Sequence, residues 1–442
     1  MKRIAIALAL VSLLLWLPPA GSRVTAAGGS ADRPLTVMAG GDIACDPLSP
    51  FFHAGEGDAR NCQEKATSDL VMQAHPDAVL ALGDNQYEVG ALEAFGQSYG
   101  TTWGRFKNIT YPVLGNHEYL TPGAAGYFAY YGKLARNPQG GYYSFNLGDW
   151  HFIALNSECN EPGVGGCGLG SPQESWLLSD LAANRQPCTL AFWHEPRFTS
   201  GRNLNHPALQ TWWEDLYAFG AAIVLNGHDH IYERFAPQDP SQKADRFGIR
   251  EFIVGTGGNN HQPAYGVIQP NSVVRDNTTY GVLQLTLRAG SYDWQYLPAH
   301  HTGNGKFTDK GSGTCPGADP QTTSTVQPRA VAVVTSNGVG AVARFTVNFA
   351  SQGVGQGYVR FGSGPGCSGL VMTALGDQGV GTTNHWLVVT GNDLPGTVGD
   401  NGVMPGSTYW YETVTRTRAG EEVNDNGGKC YSVTIPAVAA GH

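Results

Sequence analysis

The chain has 442 residues and a net charge of -9, a length that suits two or three domains of about 150 residues each. Its 60 glycines are roughly twice the usual share, and its charged fraction of 14 % is well below the usual value of about 25 %. This excludes helical bundles and coiled coils, the 41 % hydrophobic content excludes wholesale disorder, and the acidic balance speaks against a dedicated nucleic-acid or anionic-membrane binder.

Lys2 and Arg3 precede an apolar run from Ile4 to Leu17, broken only by Ser12, and small residues follow at Val24-Thr25-Ala26-Ala27. This is the layout of a secretory signal peptide over residues 1–27. The run falls short of the ~20 residues a membrane span needs, and no later stretch is long enough, so the expectation is an exported, soluble protein. Eight cysteines suit an oxidising compartment. Eight cysteines allow about 105 pairings, among which sequence alone does not choose. One of them pairs near neighbours, Cys45–Cys62 and Cys159–Cys167, with Cys367–Cys430 near the C-terminus and Cys188–Cys315 as the remainder. A zinc–thiolate site is the competing reading, but the chain has no CxxC pair.

From Leu35 to about Leu297, short β runs alternate with helical ones. Leu35 to Met38 leads into a loop, Asn61 to His75 reads as helix, and Ala78 to Leu82 as a buried strand. Further strands are expected at Tyr142–Leu147, Phe152–Leu155, Thr189–Trp193, Ala221–Leu225, Glu251–Val254 and Val282–Leu287. Ser171-Pro172-Gln173-Glu174 is a capping box with Pro at the first helical position, opening a helix to about Asn184. Pro207 to Phe219 reads as an amphipathic helix. Such alternation predicts a layered α/β domain over residues 28–300. Residues 301–328, rich in Gly, Thr, Ser and Pro, read as a linker. Residues 329–442 show alternating runs at Val331–Thr335, Ala343–Phe349, Gly357–Phe361, Trp386–Thr390 and Tyr409–Thr415, separated by Gly-rich turns, and predict a small all-β sandwich.

Five segments carry the chemistry: Gly41-Asp42-Ile43-Ala44, Gly83-Asp84-Asn85-Gln86-Tyr87, Gly115-Asn116-His117-Glu118, Trp193-His194-Glu195 and Gly227-His228-Asp229-His230. Each falls at or just after an expected strand end, where sites of open α/β sheets collect. Where Gly precedes the polar residue, it lets the backbone turn so that the next side chain points into a shared crevice. Together the segments offer carboxylates, histidines, an amide oxygen and a phenol, an O/N donor set suited to two metal ions.

In this order the segments resemble the calcineurin-like metallophosphoesterases, and more closely the purple acid phosphatase branch of bacterial secreted type. The resemblance runs from about Leu35 to Leu297 and extends to Tyr232-Glu233-Arg234 and Val254-Gly255-Thr256-Gly257-Gly258. It implies a four-layer α/β/β/α sandwich. In most of that superfamily the first motif is Asp-x-His, but Ala44 stands at its third position here and cannot ligate. Tyr87 fills the gap, as its match does in purple acid phosphatases. A phenol titrates near 10, so holding it as phenolate calls for a strongly polarising ion, and the exchange points to Fe(III). Carried over, the resemblance implies one metal held by Asp42, Asp84, Tyr87 and His230. A second, Fe, Zn or Mn, is held by Asp84, Asn116, His194 and His228. His117 is the candidate general acid. The implied reaction is attack of a metal-bound hydroxide on a phosphomonoester; a phosphodiesterase or nucleotidase, or a non-catalytic secreted binding protein, are the alternatives.

Other residues in the neighbourhood carry weaker signals. Glu195 stands where bacterial relatives often have a second histidine, and His206 lies near, but out of alignment with, the substrate-facing histidines of plant relatives. Arg197 reads as a phosphate contact or as an ordinary surface arginine, and Asp229 as loop scaffold. Asn260 and His261 are candidates for the pocket rim, while His75, His151, His300, His301 and His385 have no motif context. Pro405-Gly406-Ser407-Thr408-Tyr409-Trp410-Tyr411 resembles the tyrosine-bearing strand of a fibronectin type III domain, which implies a module that contacts a surface or polymer. Partners are otherwise confined to the phosphoester substrate.

Overall fold

The computed structural model describes residues 33–299, 307–316, 329–336 and parts of 341–435, with short breaks at 138–139, 169, 185 and 247. The expected signal peptide, His300 and His301 lie outside the described residues.

The chain opens on β1 (Leu35–Gly40), α1 (Glu64–Ala74), β2 (Ala78–Leu82), α2 (Leu92–Gln97) and β3 (Thr110–Val113). The short helices α3 (Asn116–Tyr119) and α4 (Ala125–Tyr131) follow, then β4 (Tyr143–Leu147) and β5 (Trp150–Ala154). Next come α5 (Pro172–Ala183), β6 (Cys188–Phe192), α6 (Gln210–Ala218), β7 (Ile223–Asn226), β8 (Tyr232–Phe235) and β9 (Arg250–Val254). This part closes on β10 (Ser272–Asp276), β11 (Gly281–Arg288), β12 (Ser291–Pro298) and β13 (Lys310–Thr314).

These strands form a six-stranded sheet in the order β13-β12-β11-β1-β2-β3 and a seven-stranded sheet in the order β10-β8-β9-β7-β6-β5-β4. Side chains alternate across each strand, and both faces are apolar. Val37, Ala39, Leu80 and Leu82 of the first sheet meet Phe152, Leu190, Phe192 and Leu225 of the second in a shared core. Met38, Val79 and Ala81 point outward to Val71 of α1 and to Trp103. Ile153, Ala191 and Val224 point outward to Leu177 and Leu181 of α5 and to Trp212, Trp213 and Leu216 of α6. The result is the four-layer α/β/β/α sandwich. Strands β1, β2 and β3 run parallel, as do β5, β6, β7 and β9, so their following loops leave at a common end.

Local signals explain the element ends. Ser171 accepts the Glu174 N–H at 3.2 Å, but the Glu174 carboxylate accepts from Gly170 at 3.0 Å, one residue before the position a capping box uses. The expected helix from Pro207 begins as a short 3-10 turn, Pro207–Leu209, and becomes α-helical only at Gln210. All four expected disulfides are present: Cys45–Cys62, Cys159–Cys167, Cys188–Cys315 and Cys367–Cys430. The stretch read as linker holds β13, which pairs along β12 from Ser291↔Thr314 to Gln295↔Lys310. Lys-Gly-Ser-Gly-Thr has no apolar alternation to announce a strand; the open edge of β12 and the Cys315 bond supply its place.

Beyond it lie β14 (Arg329–Ser336), β15 (Ala341–Gly362), β16 (Met372–Leu375), β17 (Thr382–Val389), β18 (Thr408–Thr417), β19 (Gly420–Asn424) and β20 (Tyr431–Thr434). Two expected strands, Ala343–Phe349 and Gly357–Phe361, are one continuous strand, β15, which pairs with β14 and β17 early and with β16 and β18 late. The Gly-rich stretch between them shifts register against β17 instead of turning the chain. Among the described residues this part is all β.

Glu64, in the first turn of α1, is fully buried. Its Oε1 accepts from Ser98 at 3.3 Å, while Oε2 has no partner. Burial pushes its carboxyl up to about 8, whereas in an unfolded chain it titrates near ~4.3. Between those values unfolding releases a proton, so its contribution to stability is complete at low pH and is lost as pH rises through about 8. Glu64→Gln cannot ionise. Its melting temperature relative to the native chain is expected to climb from pH 5 to pH 8.5; a constant difference would contradict the buried neutral acid.

Candidate metal centre

The five segments come together at the common end of the two sheets. Asp42 follows β1, Asp84 follows β2, Asn116 opens α3, His194 follows β6, and His228 and His230 follow β7. Asp42, Asp84 and His228 all have positive φ, at 59°, 45° and 70°. Such backbone is costly for non-glycine residues and clusters at functional sites. The glycines beside them serve close approach as well as turning. A Cβ at Gly83, whose φ is +85°, would lie 2.5 Å from His194 Nδ1, and one at Gly115 would collide with Asp84 Oδ1.

The Tyr87 hydroxyl lies 2.9 Å from Asp42 Oδ1, 2.9 Å from Asp84 Oδ2 and 3.0 Å from His230 Nε2. His230 Nε2 is also 3.2 Å from Asp42 Oδ1. Its other nitrogen, Nδ1, donates to Asn260 Oδ1 at 2.6 Å, so Nε2 is the nitrogen turned toward Tyr87 and Asp42. Against burial, Asp42 raises the ring's pKa to about 9. His194 is arranged the same way. Nδ1 donates to the Leu82 carbonyl at 2.9 Å, and Nε2 faces Asp84 Oδ2 at 3.2 Å, Asn116 Oδ1 at 3.3 Å and His228 Nδ1 at 3.2 Å. The His117 ring lies against Tyr87, tilted by 51° with centroids 4.3 Å apart, and its backbone N–H donates to Asp84 Oδ1 at 2.9 Å. Its Nε2 lies 3.9 Å from Asp84 Oδ2.

All eight expected side chains therefore share one cluster. Its chemistry fits cations. The Tyr87 hydroxyl faces two carboxylates and an imidazole nitrogen, and the His194 and His228 nitrogens confront one another and the Asp84 carboxylate. Asp84, His194 and His228 alone bring ligating atoms within 4.8 Å of one another. Without a cation the charges compensate as far as they can. Burial resists ionisation of Asp84, yet the imidazoles of His194, His117 and His228 hold its carboxyl well below the usual range. Burial opposes the His194 cation, but Asp84 and Asp42 hold its pKa well above the ordinary value. Burial, with Asp42 and Asp84, pushes the Tyr87 phenol far up.

Residues around the cluster hold it in place, and several escaped sequence reasoning. Glu118 is fully buried and its carboxylate accepts from Asn85 N at 2.8 Å, Gln86 N at 3.2 Å and Gly115 N at 2.8 Å, tying the second loop to the third. Gln86 Nε2 donates to the Cys45 carbonyl at 2.9 Å, and its Oε1 accepts from Tyr99 N at 3.1 Å, tying the first loop to the second. Glu118 sits three residues after Gly115, the N3 position of α3, and that spacing was the available signal. Asp229 is scaffold: its carboxylate accepts from Thr199 at 2.6 Å, Gln262 at 2.5 Å and Asn203 N at 3.1 Å.

The remaining candidates separate cleanly. Arg197 turns to α6, donating from Nε to Gln210 Oε1 at 2.8 Å and covering the Phe198 ring. His206 Nε2 pairs with Glu195 Oε2 at 2.9 Å. His261 packs on Tyr280 at 4.0 Å between centroids, where burial pushes its pKa down to about 4. His151 is a structural bridge between Asn146 and Asp180, at 2.6 and 2.7 Å.

Residues 41–232 match the calcineurin-like phosphoesterase family. Purple acid phosphatase 15 of Arabidopsis thaliana is 30 % identical over 226 residues, 43 % of this chain and 41 % of that protein. Purple acid phosphatase 18 of the same plant is 32 % identical over 154 residues, 33 % of this chain and 34 % of that protein. The chain thus spans less than half the length of these curated relatives. The solved purple acid phosphatase PPD1 from yellow lupin (Lupinus luteus) seeds superposes with a TM-score of 0.50 at 17 % identity, over 64 % of this chain and 54 % of that one, which shows a common fold. With the two-sheet fold and the match over residues 41–232, this chain carries a calcineurin-like metallophosphoesterase domain, and purple acid phosphatases are among its homologues.

Proposed function

We propose that this chain is a secreted phosphatase that hydrolyses phosphomonoesters at a binuclear metal centre. The observation that carries the reading is the convergence of Asp42, Asp84, Tyr87, Asn116, His194, His228 and His230, whose oxygen and nitrogen donor atoms face one another at hydrogen-bond distances. Asp42, Asp84, Tyr87 and His230 would hold Fe(III), and Asp84, Asn116, His194 and His228 would hold Fe, Zn or Mn. When bound, two such cations neutralise phosphoryl oxygens and make a water acidic enough to act as nucleophile.

The chain's own residues do the rest. His117 Nδ1 is committed to the Glu88 carbonyl at 2.5 Å, so the second proton of its imidazolium sits on Nε2, facing the cluster. From there it donates to the leaving oxygen. Its 25 % exposed side chain stands where the site meets solvent. The four disulfides support export to an oxidising compartment, and no described helix is long and apolar enough to cross a membrane. The C-terminal strands would form a fibronectin type III-like module that contacts a surface or polymer.

Turnover of para-nitrophenyl phosphate and of its bis-ester, with metal analysis of the same sample, tests this. Faster turnover of the monoester with two metals per chain is the expected outcome. A preference for the bis-ester would make the protein a phosphodiesterase, and turnover of neither would make it a binding protein.

A further inference from the structure

We infer that the Cys45–Cys62 disulfide is a positioning element for one half of the metal centre, holding Asp42, Tyr87 and His230 in place, while the His194 half stands without it. The inference rests on the binuclear reading above and goes beyond it by dividing the site into two halves with different supports. His194 is fully buried, and its Nδ1 donates at 2.9 Å to the carbonyl of Leu82, the last residue of β2. Its own backbone is bonded to the end of β7. Gly227 N donates to the His194 carbonyl at 3.0 Å, and Asn226 Nδ2 to the Trp193 carbonyl at 3.0 Å. This half is fixed on sheet ends.

His230 is fixed on a loop. Its side chain is 15 % exposed, and Nδ1 lies 2.6 Å from Asn260 Oδ1 and 3.1 Å from the Asn260 carbonyl. Both acceptors belong to one exposed residue, where water competes for the same bonds. The orientation of His230 therefore depends on how firmly residue 260 is placed.

That placement comes from the segment around Cys62. Asn61 forms a bridge with Asn260, Cys62 N donates to the Asn259 carbonyl at 2.8 Å, and Gln63 N to the Gly258 carbonyl at 2.7 Å. On its other side the same loop lies along the first site loop. Asn259 N donates to the Asp42 carbonyl at 3.0 Å, and Gly257 N to the Gly41 carbonyl at 2.9 Å. The fit is tight, because a Cβ at Gly258 would lie 2.6 Å from the Ile43 carbonyl on one side and 2.6 Å from Glu64 N on the other. Residues 257–260 are thus clasped between two segments, and the Cys45–Cys62 bond joins those segments covalently. The Cys45 end also carries the tyrosine loop: the Ala44 carbonyl accepts from Tyr87 N at 2.8 Å, and the Cys45 carbonyl from Gln86 Nε2 at 2.9 Å. Asp42 stands three residues before Cys45, Tyr87 is bonded to Ala44, and His230 to Asn260, so all three meet through the clasp. With the bond absent, hydrogen bonds alone close it, and local opening frees His230 first.

The test is the double variant Cys45→Ser/Cys62→Ser of the full chain, with Cys159→Ser/Cys167→Ser as a comparator that also lacks one disulfide. Chelator titration gives the affinity for each ion, and circular dichroism checks the fold. In the first variant one of the two ions should be held about 10- to 100-fold more weakly, as when an outer partner of a metal-bound histidine is removed. The other ion should keep its native affinity, and the comparator should keep both. Diethylpyrocarbonate modification, mapped by mass spectrometry, identifies the half that is lost: His230 should become reactive while His194 stays protected. Native affinity for both ions in the first variant, equal weakening of both, or the same loss in the comparator would overturn the inference. Should the first variant not fold, Asn260→Ala, which removes the nearer acceptor, must weaken the same ion, and Asn260→Asp, which keeps it, must restore the binding; native affinity in Asn260→Ala is then the overturning result. A native chain that binds fewer than two ions would defeat the binuclear reading instead. The metal-free chain then decides, since His230 should be modified several-fold faster in the first variant and His194 at the native rate, and an unchanged rate at His230 would overturn the inference.

Discussion

Asp84→Asn is expected to lower turnover of para-nitrophenyl phosphate by at least about 10³-fold while the protein keeps its fold. Asp84 joins the Tyr87 side of the cluster to the His194 side: Oδ2 faces the Tyr87 hydroxyl at 2.9 Å and His194 Nε2 at 3.2 Å, and Oδ1 accepts the His117 N–H at 2.9 Å. Asn has the same shape and can still accept from His117, so the loops stay tied. It lacks the charge and puts an N–H₂ where a carboxylate oxygen would bridge two cations. Metal per chain, measured beside kcat/KM and the circular dichroism spectrum, should fall below two. A folded variant with native turnover and a full metal complement would show that the cluster is not the reacting site.

Tyr87→Phe should abolish visible absorption. Phenolate bound to Fe(III) transfers charge to the metal in the visible range, which zinc or manganese pairs do not do, so iron-matured protein is expected to be pink to purple. Without a cation, burial and the carboxylates of Asp42 and Asp84 hold the phenol strongly protonated. Only a strongly polarising ion would displace that proton. The phenyl ring preserves the tilted ring contact with His117, 4.3 Å between centroids, so the loss is confined to the oxygen. Activity should fall less than in Asp84→Asn, since Asp42, Asp84 and His230 remain. A colourless, fully active, iron-free native protein would remove Fe(III) from the assignment and leave the phosphatase proposal to the ester assays.

The candidate site was legible because each segment pairs a turn with a donor at a strand end. Gly83-Asp84 and Gly227-His228 announce both the bend and the side chain it delivers. What organises those donors was less visible. Glu118 and Gln86 act by accepting or donating across loops far apart in sequence; the N3 spacing of Glu118 after Gly115 offered a signal, whereas an amide such as Gln86 next to a ligand has no pattern that distinguishes a tie from an exposed neighbour. Strand β13 failed for a related reason: its pairing is dictated by the β12 edge, and Gly311 and Gly313 leave no hydrophobic alternation to read. In β15, glycines that usually signal turns instead continue one extended strand.

The Cys188–Cys315 bond closes a covalent ring with a sequence separation of 127. In the chain-entropy account, a ring of that size removes about 5 kcal/mol of freedom from the unfolded state. Its other consequence concerns damage. His194, His228 and His230, together with Asn260, all lie inside the ring. A protease that cuts at the exposed turn of Val267 and Ile268 would open the backbone without releasing either half. The nicked protein would migrate as one species until reduced, with the part after the cut, which includes β11 and β12, still tethered to the part that bears His194, His228 and His230.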